Sequence, residues 1–208
     1  MKILEYSLDK FQFRIISSSF RTKIDVIRFW MNAIKLMSAY SAPSTVDVQA
    51  KLQVKIDKMS RIFVSSEEKC FSVNFPFSVR EDSEGVSFHN IHYGAVDSKA
   101  SSEVLSLISS SAMASPEVLD FAEPITDSCY SSKFYWSLFR DLLLEEDGYI
   151  RFDHDPDNEN GKLHPLNHLD VFYSQSSTFK IGVGSRLSMQ ELSDILDIKS
   201  ECHFLSKA

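Results

Sequence analysis

The stretch VDVQAKLQVKI, residues 46–56, alternates Val46, Val48, Ala50, Leu52, Val54 and Ile56 with Asp47, Gln49, Lys51, Gln53 and Lys55. A period of two held over this length puts the apolar set on one face of an extended chain. It predicts a long, half-buried β-strand. Just before it the period changes. In TKIDVIRFWMNAIKLMSAY, residues 22–40, Ile24, Ile27, Trp30, Met31, Ile34 and Met37 recur at spacings of three and four, with Asp25, Arg28, Asn32 and Lys35 between them. This is an amphipathic helix, with Thr22 as N-cap and Pro43 beyond its end. Downstream, KCFSVNFPFSV (69–79) and GVSFHNIHY (85–93) read as strands joined by the acidic turn REDSEG. The simplest arrangement of the 46–93 segment is an antiparallel meander.

From about 100 to 146 the pattern is helical. SSEVLSLISSS and SPEVLDFAEPI are short helices, the second with Ser115 as N-cap and Pro116 at its first position. SSKFYWSLFRDLLLEE carries Phe134, Leu138, Leu142 and Trp136, Phe139, Leu143 on adjacent rows of a well-buried helix. Strands are expected at 149–153, 168–173 and 178–183. A last helix over 188–198 opens with Ser188 and, three residues on, Glu191, the spacing of a capping box. The expected fold is a single α+β domain over 1–208, with helices on a mainly antiparallel sheet.

Composition narrows the class. Hydrophobic residues make up 43% and charged residues 25%, proportions of a folded chain. Cys70, Cys129 and Cys202 are too few and too scattered for a disulfide framework or a C-x-x-C zinc site, which fits a reducing cytosol. The N-terminus has no uninterrupted signal core, and no apolar run reaches membrane-spanning length, so a cytoplasmic protein without a membrane contact is expected. The net charge of -7 argues against a surface dedicated to nucleic acid. It is unevenly spread: residues 1–70 hold 12 Lys+Arg against 7 Asp+Glu, and the remainder 10 against 22. Such a split can orient a protein on a charged partner. Within the basic third, Lys51, Lys55, Lys58 and Arg61 read either as a solvated strand face or as contacts to phosphates or an acidic protein.

The chemically richest segment is YIRFDHDPDNENGKLHPLNHLDVFYS, residues 149–174, with Arg151, Asp153, His154, Asp155, His164, His168 and Asp170. On a strand, Arg151, Asp153 and Asp155 share one face, and Phe152 and His154 point the other way. The candidate site residues are Arg151, Asp153, Asp155, His164 and His168. One reading is a metal site in which His164, His168 and Asp153 or Asp155 hold a divalent ion, with Arg151 stabilising charge on a substrate. The other is a polar corner: Arg151 pairs with a carboxylate, the aspartates bond to turn amides, and the histidines donate to backbone carbonyls. No catalytic motif is complete, so no cofactor and no metal are expected, a divalent metal being the alternative. His89 and His92 fall on opposite faces of a strand. GVGS at 182–185 lacks the length and lysine of a phosphate loop and reads as a strand end.

This segment resembles the C-terminal part of a bacterial family of unknown function. The shared elements are the strand Arg151, Phe152, Asp153; the turn Asp155, Pro156; the segment His164, Pro165, His168, Leu169; the strand start Lys180, Ile181; and the helix start Leu187, Ser188. Arg186 stands where the family's motif has proline. The resemblance covers about a quarter of the chain and implies no established activity. It implies a setting: variable bacterial loci that carry toxin-antitoxin and antiphage systems. The resulting expectation is a noncatalytic accessory subunit of a prokaryotic defence complex, possible partners being an SMC-like ATPase and a nuclease of the Lamassu type, with nucleic acid contacted indirectly or through the basic N-terminal third. The alternatives are a metal-dependent hydrolase or nuclease and a toxin-antitoxin component.

Overall fold

A computed structural model describes residues 1–17, 19–83, 85–114, 133–171, 179–201 and 203. In chain order the strands are β1 (Lys2–Leu8), β2 (Ala50–Ile56), β3 (Ser60–Ser66), β4 (Lys69–Asn74), β5 (Ser78–Asp82), β6 (Gly85–Asn90), β7 (Gly94–Ala95), β8 (Ile150–His154), β9 (Asn167–Val171) and β10 (Phe179–Gly182). The helices are α1 (Lys10–Ile16), α2 (Lys23–Ser38), α3 (Ser98–Ile108), α4 (Lys133–Leu144) and α5 (Met189–Leu196). The class is α+β, as the sequence predicts. The expected helix opened by Ser115 lies outside the described residues, as do Cys129 and Cys202. Among the described residues no helix is long and apolar enough to cross a membrane.

The chain forms two compact units, each assembled from separated segments. The first comprises Met1–Phe13, Ala42–Phe75 and Gly148–Ala208, the second Arg14–Ser41 and Pro76–Asp147. The charge split along the chain does not survive this folding. The first unit's segments hold 13 Lys+Arg against 15 Asp+Glu and the second's 9 against 14, so both are acidic.

The first unit is built on a seven-stranded antiparallel sheet in the order β1-β2-β3-β4-β8-β9-β10. Strand order in the sheet follows chain order, a meander from which β5, β6 and β7 are left out between β4 and β8. β2 starts at Ala50 and not at Val46. Both of its partners stop there, at the pairs Leu8↔Ala50 and Ala50↔Ser66; beyond them Gln49 N–H still donates to the Leu8 carbonyl, and residues 46–48 have no ladder to join. Thr45–Asp47 is a short 3-10 turn, and Val46 is exposed. The meander also leaves the sheet earlier than expected. Pro76 cannot donate to a ladder, and KCFSVNFPFSV splits there into β4 and β5, which belong to different sheets.

One face of the large sheet carries the buried residues Leu52, Val54, Ile62, Val64, Phe71 and Val73. On the other, Phe63, Cys70, Ile150, Phe152 and Leu169 form a core cluster with Leu192 of α5. Complete burial of Leu192 stabilises this arrangement by about 2–3 kcal/mol relative to exposure. The capping box expected at Ser188 fixes the start of α5: Ser188 accepts from Glu191 N–H while the Glu191 carboxylate accepts from Ser188 N–H. The supposedly solvated strand face is therefore only partly so. Lys55 is buried and its ammonium bonds to Asp197 at 2.7 Å, and Arg61 is buried and donates to Ser72, Asn74 and the Gly148 carbonyl. Lys51 and Lys58 remain exposed.

The second unit is organised around α2, which packs with α3, α4 and β6. Thr22 and Asp25 close the helix start in a capping box. Val26, Ile27, Phe29, Trp30, Met31, Ala33, Ile34 and Met37 are all buried, more of the helix circumference than a single amphipathic stripe would cover. A three-stranded sheet, β5-β6-β7, completes this unit. On α4, Leu138, Phe139 and Leu142 are buried as expected, but Trp136 is 38% and Leu144 76% exposed.

Candidate functional site

Register assembles the site. Directly opposed residues of neighbouring strands share a face, and the pairings Arg151↔Asp170↔Lys180 and Asp153↔His168 bring five polar side chains from β8, β9 and β10 together. The same pairings send Phe152, Leu169 and Ile181 to the opposite face, where they join the cluster under α5. Each strand thus anchors its apolar residues on one side and gives its polar ones to the other. A one-residue slip would exchange the two sets, so the core enforces the polar register.

The five side chains form a closed ion network. Arg151 Nη2 donates to Asp153 Oδ2 at 2.6 Å and to Asp170 Oδ2 at 2.7 Å. Lys180 Nζ donates to Asp170 Oδ1 and to His168 Nε2, each at 2.9 Å. The tautomer of His168 follows from its other contact. Nδ1 lies 2.8 Å from the Pro165 carbonyl oxygen, which can only accept, so Nδ1 carries the proton and Nε2 offers its lone pair to the lysine. Two cations face two carboxylates, and the formal charge balances. His168 is fully buried and Asp170 nearly so. Around Arg151, burial opposes the charged form, but Tyr149, Asp153 and Asp170 outweigh it and hold the guanidinium above its ordinary range. Burial pushes the Tyr149 phenol up to about 12.

The turn after β8 carries the other two candidates. Asp155 accepts from the backbone and side-chain amides of Asn158 at 3.2 and 3.0 Å, closing the turn that follows Pro156. Burial opposes ionisation of this carboxyl, but the Asn158 hydrogen bonds prevail and hold it below the usual range. The His164 ring stands edge-on to His168, with centroids 4.7 Å apart. Its Nε2 is buried 3.3 Å from Asp155 Oδ2, misaligned for a hydrogen bond. His154 points to the opposite face and meets Asn167 Oδ1 at 2.8 Å.

Of the five sequence candidates, Arg151, Asp153 and His168 therefore converge in the network, and Asp155 and His164 adjoin it through the turn. The metal set drawn from the sequence, His164, His168 and Asp153, is not the one that meets in space. Asp153, His168 and Asp170 place one ligand atom each within 4.8 Å of one another, and His164 faces Asp155. Asp170 was visible as part of the polar segment. Lys180 was missed as a site residue, although its alternation with Ile181 gave its face and only the strand pairing gave its partners. Arg151 and Asp153 also reach a cleft of about 490 Å³, whose other walls include Glu68, Lys69, Asp157 and Arg186.

The remaining sequence candidates stay apart. His89 meets Ser87 Oγ at 3.1 Å and His92 meets Asp141 at 2.6 Å, so the two have different partners. Gly182, at the end of β10, lies against the Pro165 ring, where an added Cβ would come within 3.0 Å. The Cys70 thiol is pushed up to about 12 by burial, which leaves it a poor nucleophile. Comparison with protein-family models, curated proteins and solved structures finds no match for this chain.

Proposed function

We propose that this chain is a noncatalytic interaction subunit of a multiprotein prokaryotic defence complex. The observation that carries the reading is the closure of the ion network. The groups that would bind a metal or stabilise charge on a substrate, Asp153, Asp170, His168 and Arg151, are engaged with one another and with Lys180. A paired set of this kind, on the back of a core cluster that fixes its register, holds a corner in place. The resemblance of the 151–188 segment to proteins of antiphage and toxin-antitoxin loci supports the setting, with an SMC-like ATPase and a nuclease of the Lamassu type as partners. Exposed apolar side chains supply contact area: Trp136, Leu144 and Ile91 in the second unit and Leu163 in the first. Nucleic acid enters indirectly, through those partners.

Co-expression of the chain with the products of neighbouring genes, followed by size-exclusion chromatography, tests this reading. A stoichiometric complex, with loss of phage protection when the chain is deleted, is the expected result. Separate elution of every product would overturn it, and growth arrest by the chain alone would transfer the assignment to a toxin.

One observation favours a second reading, a metal-dependent hydrolase or nuclease. Asp153, His168 and Asp170 converge closely enough to share an ion, and Arg151 stands beside them. Elemental analysis of the wild-type chain and a nuclease assay with added divalent metal decide between the two.

A further inference from the structure

We infer that Lys180 is a tethered cation occupying a two-carboxylate, one-imidazole coordination site, and that a divalent metal such as zinc binds there once the ammonium is removed. The inference rests on the noncatalytic reading above and gives it a physical cause. Three features of a coordination site are present. The ligand atoms are spaced for an ion: His168 Nε2 lies 3.8 Å from Asp170 Oδ1 and 3.9 Å from Asp153 Oδ2. Ligands about 2.0–2.2 Å from a tetrahedral zinc stand roughly 3.3–3.6 Å apart. Both histidine–carboxylate separations come within a few tenths of an ångström of that, and the three ligand atoms all lie within 4.8 Å of one another, so the two aspartates must draw together to close the set. The imidazole is already oriented, because its Nδ1–H is held by the Pro165 carbonyl, the backbone contact that fixes metal-binding histidines elsewhere. Two of the three donors are buried, His168 at 0% and Asp170 at 2% exposure, and Asp153 is partly buried at the edge of the cleft.

What sits at this site is the side-chain ammonium of Lys180, within hydrogen-bond distance of two of the three ligand atoms. It supplies the positive charge that an ion would bring and takes the His168 lone pair that an ion would need. Arg151 pairs with Asp170 Oδ2, the oxygen that Lys180 leaves open, and with Asp153 Oδ2, the oxygen that would also face the ion. A divalent ion added beside both cations would raise the local charge from zero to +2. Replacement of the lysine by a neutral side chain leaves the network at -1, and an ion brings it to +1. The lysine therefore sets the metal preference of the site by occupancy, not through a deficient ligand set.

Isothermal titration with zinc chloride, and thermal unfolding with and without zinc, on the full chain, its Lys180→Met and Lys180→Gln variants, and each combined with His168→Ala, test the inference. Both single variants should bind one zinc at least about 100-fold more tightly than the wild type. Their melting temperatures should rise on zinc addition while that of the wild type stays fixed, and His168→Ala should abolish the gain. A variant that unfolds without its lysine should refold with zinc. The inference fails if neither variant gains zinc affinity, or if a variant stays unfolded in excess zinc. In either case the noncatalytic reading stands, provided the wild type is metal-free and assembles with its partners. Stoichiometric zinc in the wild-type chain overturns the inference and, if activity accompanies it, the noncatalytic reading as well.

Discussion

Substitution of Asp170 by Asn is the sharpest test of the network's structural role. The change keeps the shape of the side chain but removes the charge on which Arg151 and Lys180 both close. Each lost charge-assisted bond is worth about 1.5–3 kcal/mol, and the amide oxygen retains one of them in weaker, neutral form. Stripping one partner from a buried ion pair costs about 3–5 kcal/mol. Here the side chains of Arg151 and Lys180 are each 29% exposed, so water recovers part of that cost and about 2–3 kcal/mol remains. For a chain of this size that lowers the thermal midpoint by about 4–12 °C. Urea and thermal unfolding followed by far-ultraviolet circular dichroism measure it directly. Lys180→Met on top of Asp170→Asn removes the cation that has lost its carboxylate, so the double variant should be more stable than the sum of the single losses by about 1–2 kcal/mol. An Asp170→Asn protein within about 0.5 kcal/mol of wild type, or strict additivity in the cycle, would refute the picture of a closed network.

Other outcomes follow from particular contacts. Leu192→Ala, which empties the centre of the cluster beneath α5, should destabilise the first unit by about 2–4 kcal/mol, measured by urea unfolding. His168→Ala should cost about 2 kcal/mol or more, because it leaves Lys180 with one partner and the Pro165 carbonyl with none; His164→Ala, which breaks no aligned hydrogen bond, should stay below about 1 kcal/mol. Equal losses in the two would contradict the asymmetry seen here. Cys70 gives an alkaline signature. Its folded-state pKa of about 12 lies above the thiol's ordinary 9.0, so the stability linked to its proton is complete below pH 9 and is lost as pH rises towards 12. Cys70→Ala should flatten that limb of the stability curve, and the native thiol should resist alkylation at pH 8.

How much of this was legible beforehand can be traced residue by residue. Caps were readable because they depend on a few consecutive residues: Thr22 with Asp25 and Ser188 with Glu191 close as their spacing predicts. The helix over 22–40 was readable from period alone, and the antiparallel pairing in part: the run of strands expected through 46–93 is divided at Pro76 between two sheets. Unreadable was whatever depended on a distant neighbour. Lys55 and Arg61 look like a solvated face because alternation says only that they oppose the apolar set, and their partners Asp197 and Gly148 lie far along the chain. The short strand start at Ala50 was set by where β1 and β3 end, and β3 itself, SRIFVSS, was not distinguished as a strand. In the site, the face shared by Arg151 and Asp153 was legible, but the choice of Asp170 and Lys180 over His164 was not. That choice is a property of pairing between β8, β9 and β10, and one strand's sequence does not specify its register against another.

The interrupted meander has a consequence for how the protein is made. β4 and β8 are adjacent in the sheet, yet everything from Pro76 to Asp147 lies between them in the chain. At about 5–20 residues per second, a ribosome takes several seconds to cross that interval. Throughout it, β4 has β3 on one side and a bare row of amide and carbonyl groups on the other, the configuration that invites pairing with a foreign strand. All segments of the second unit are synthesised before β8 emerges to cover that edge. A nascent product stopped before Gly148 would thus carry every segment of the second unit together with an open sheet edge, and should be the form most prone to aggregate or to recruit a chaperone.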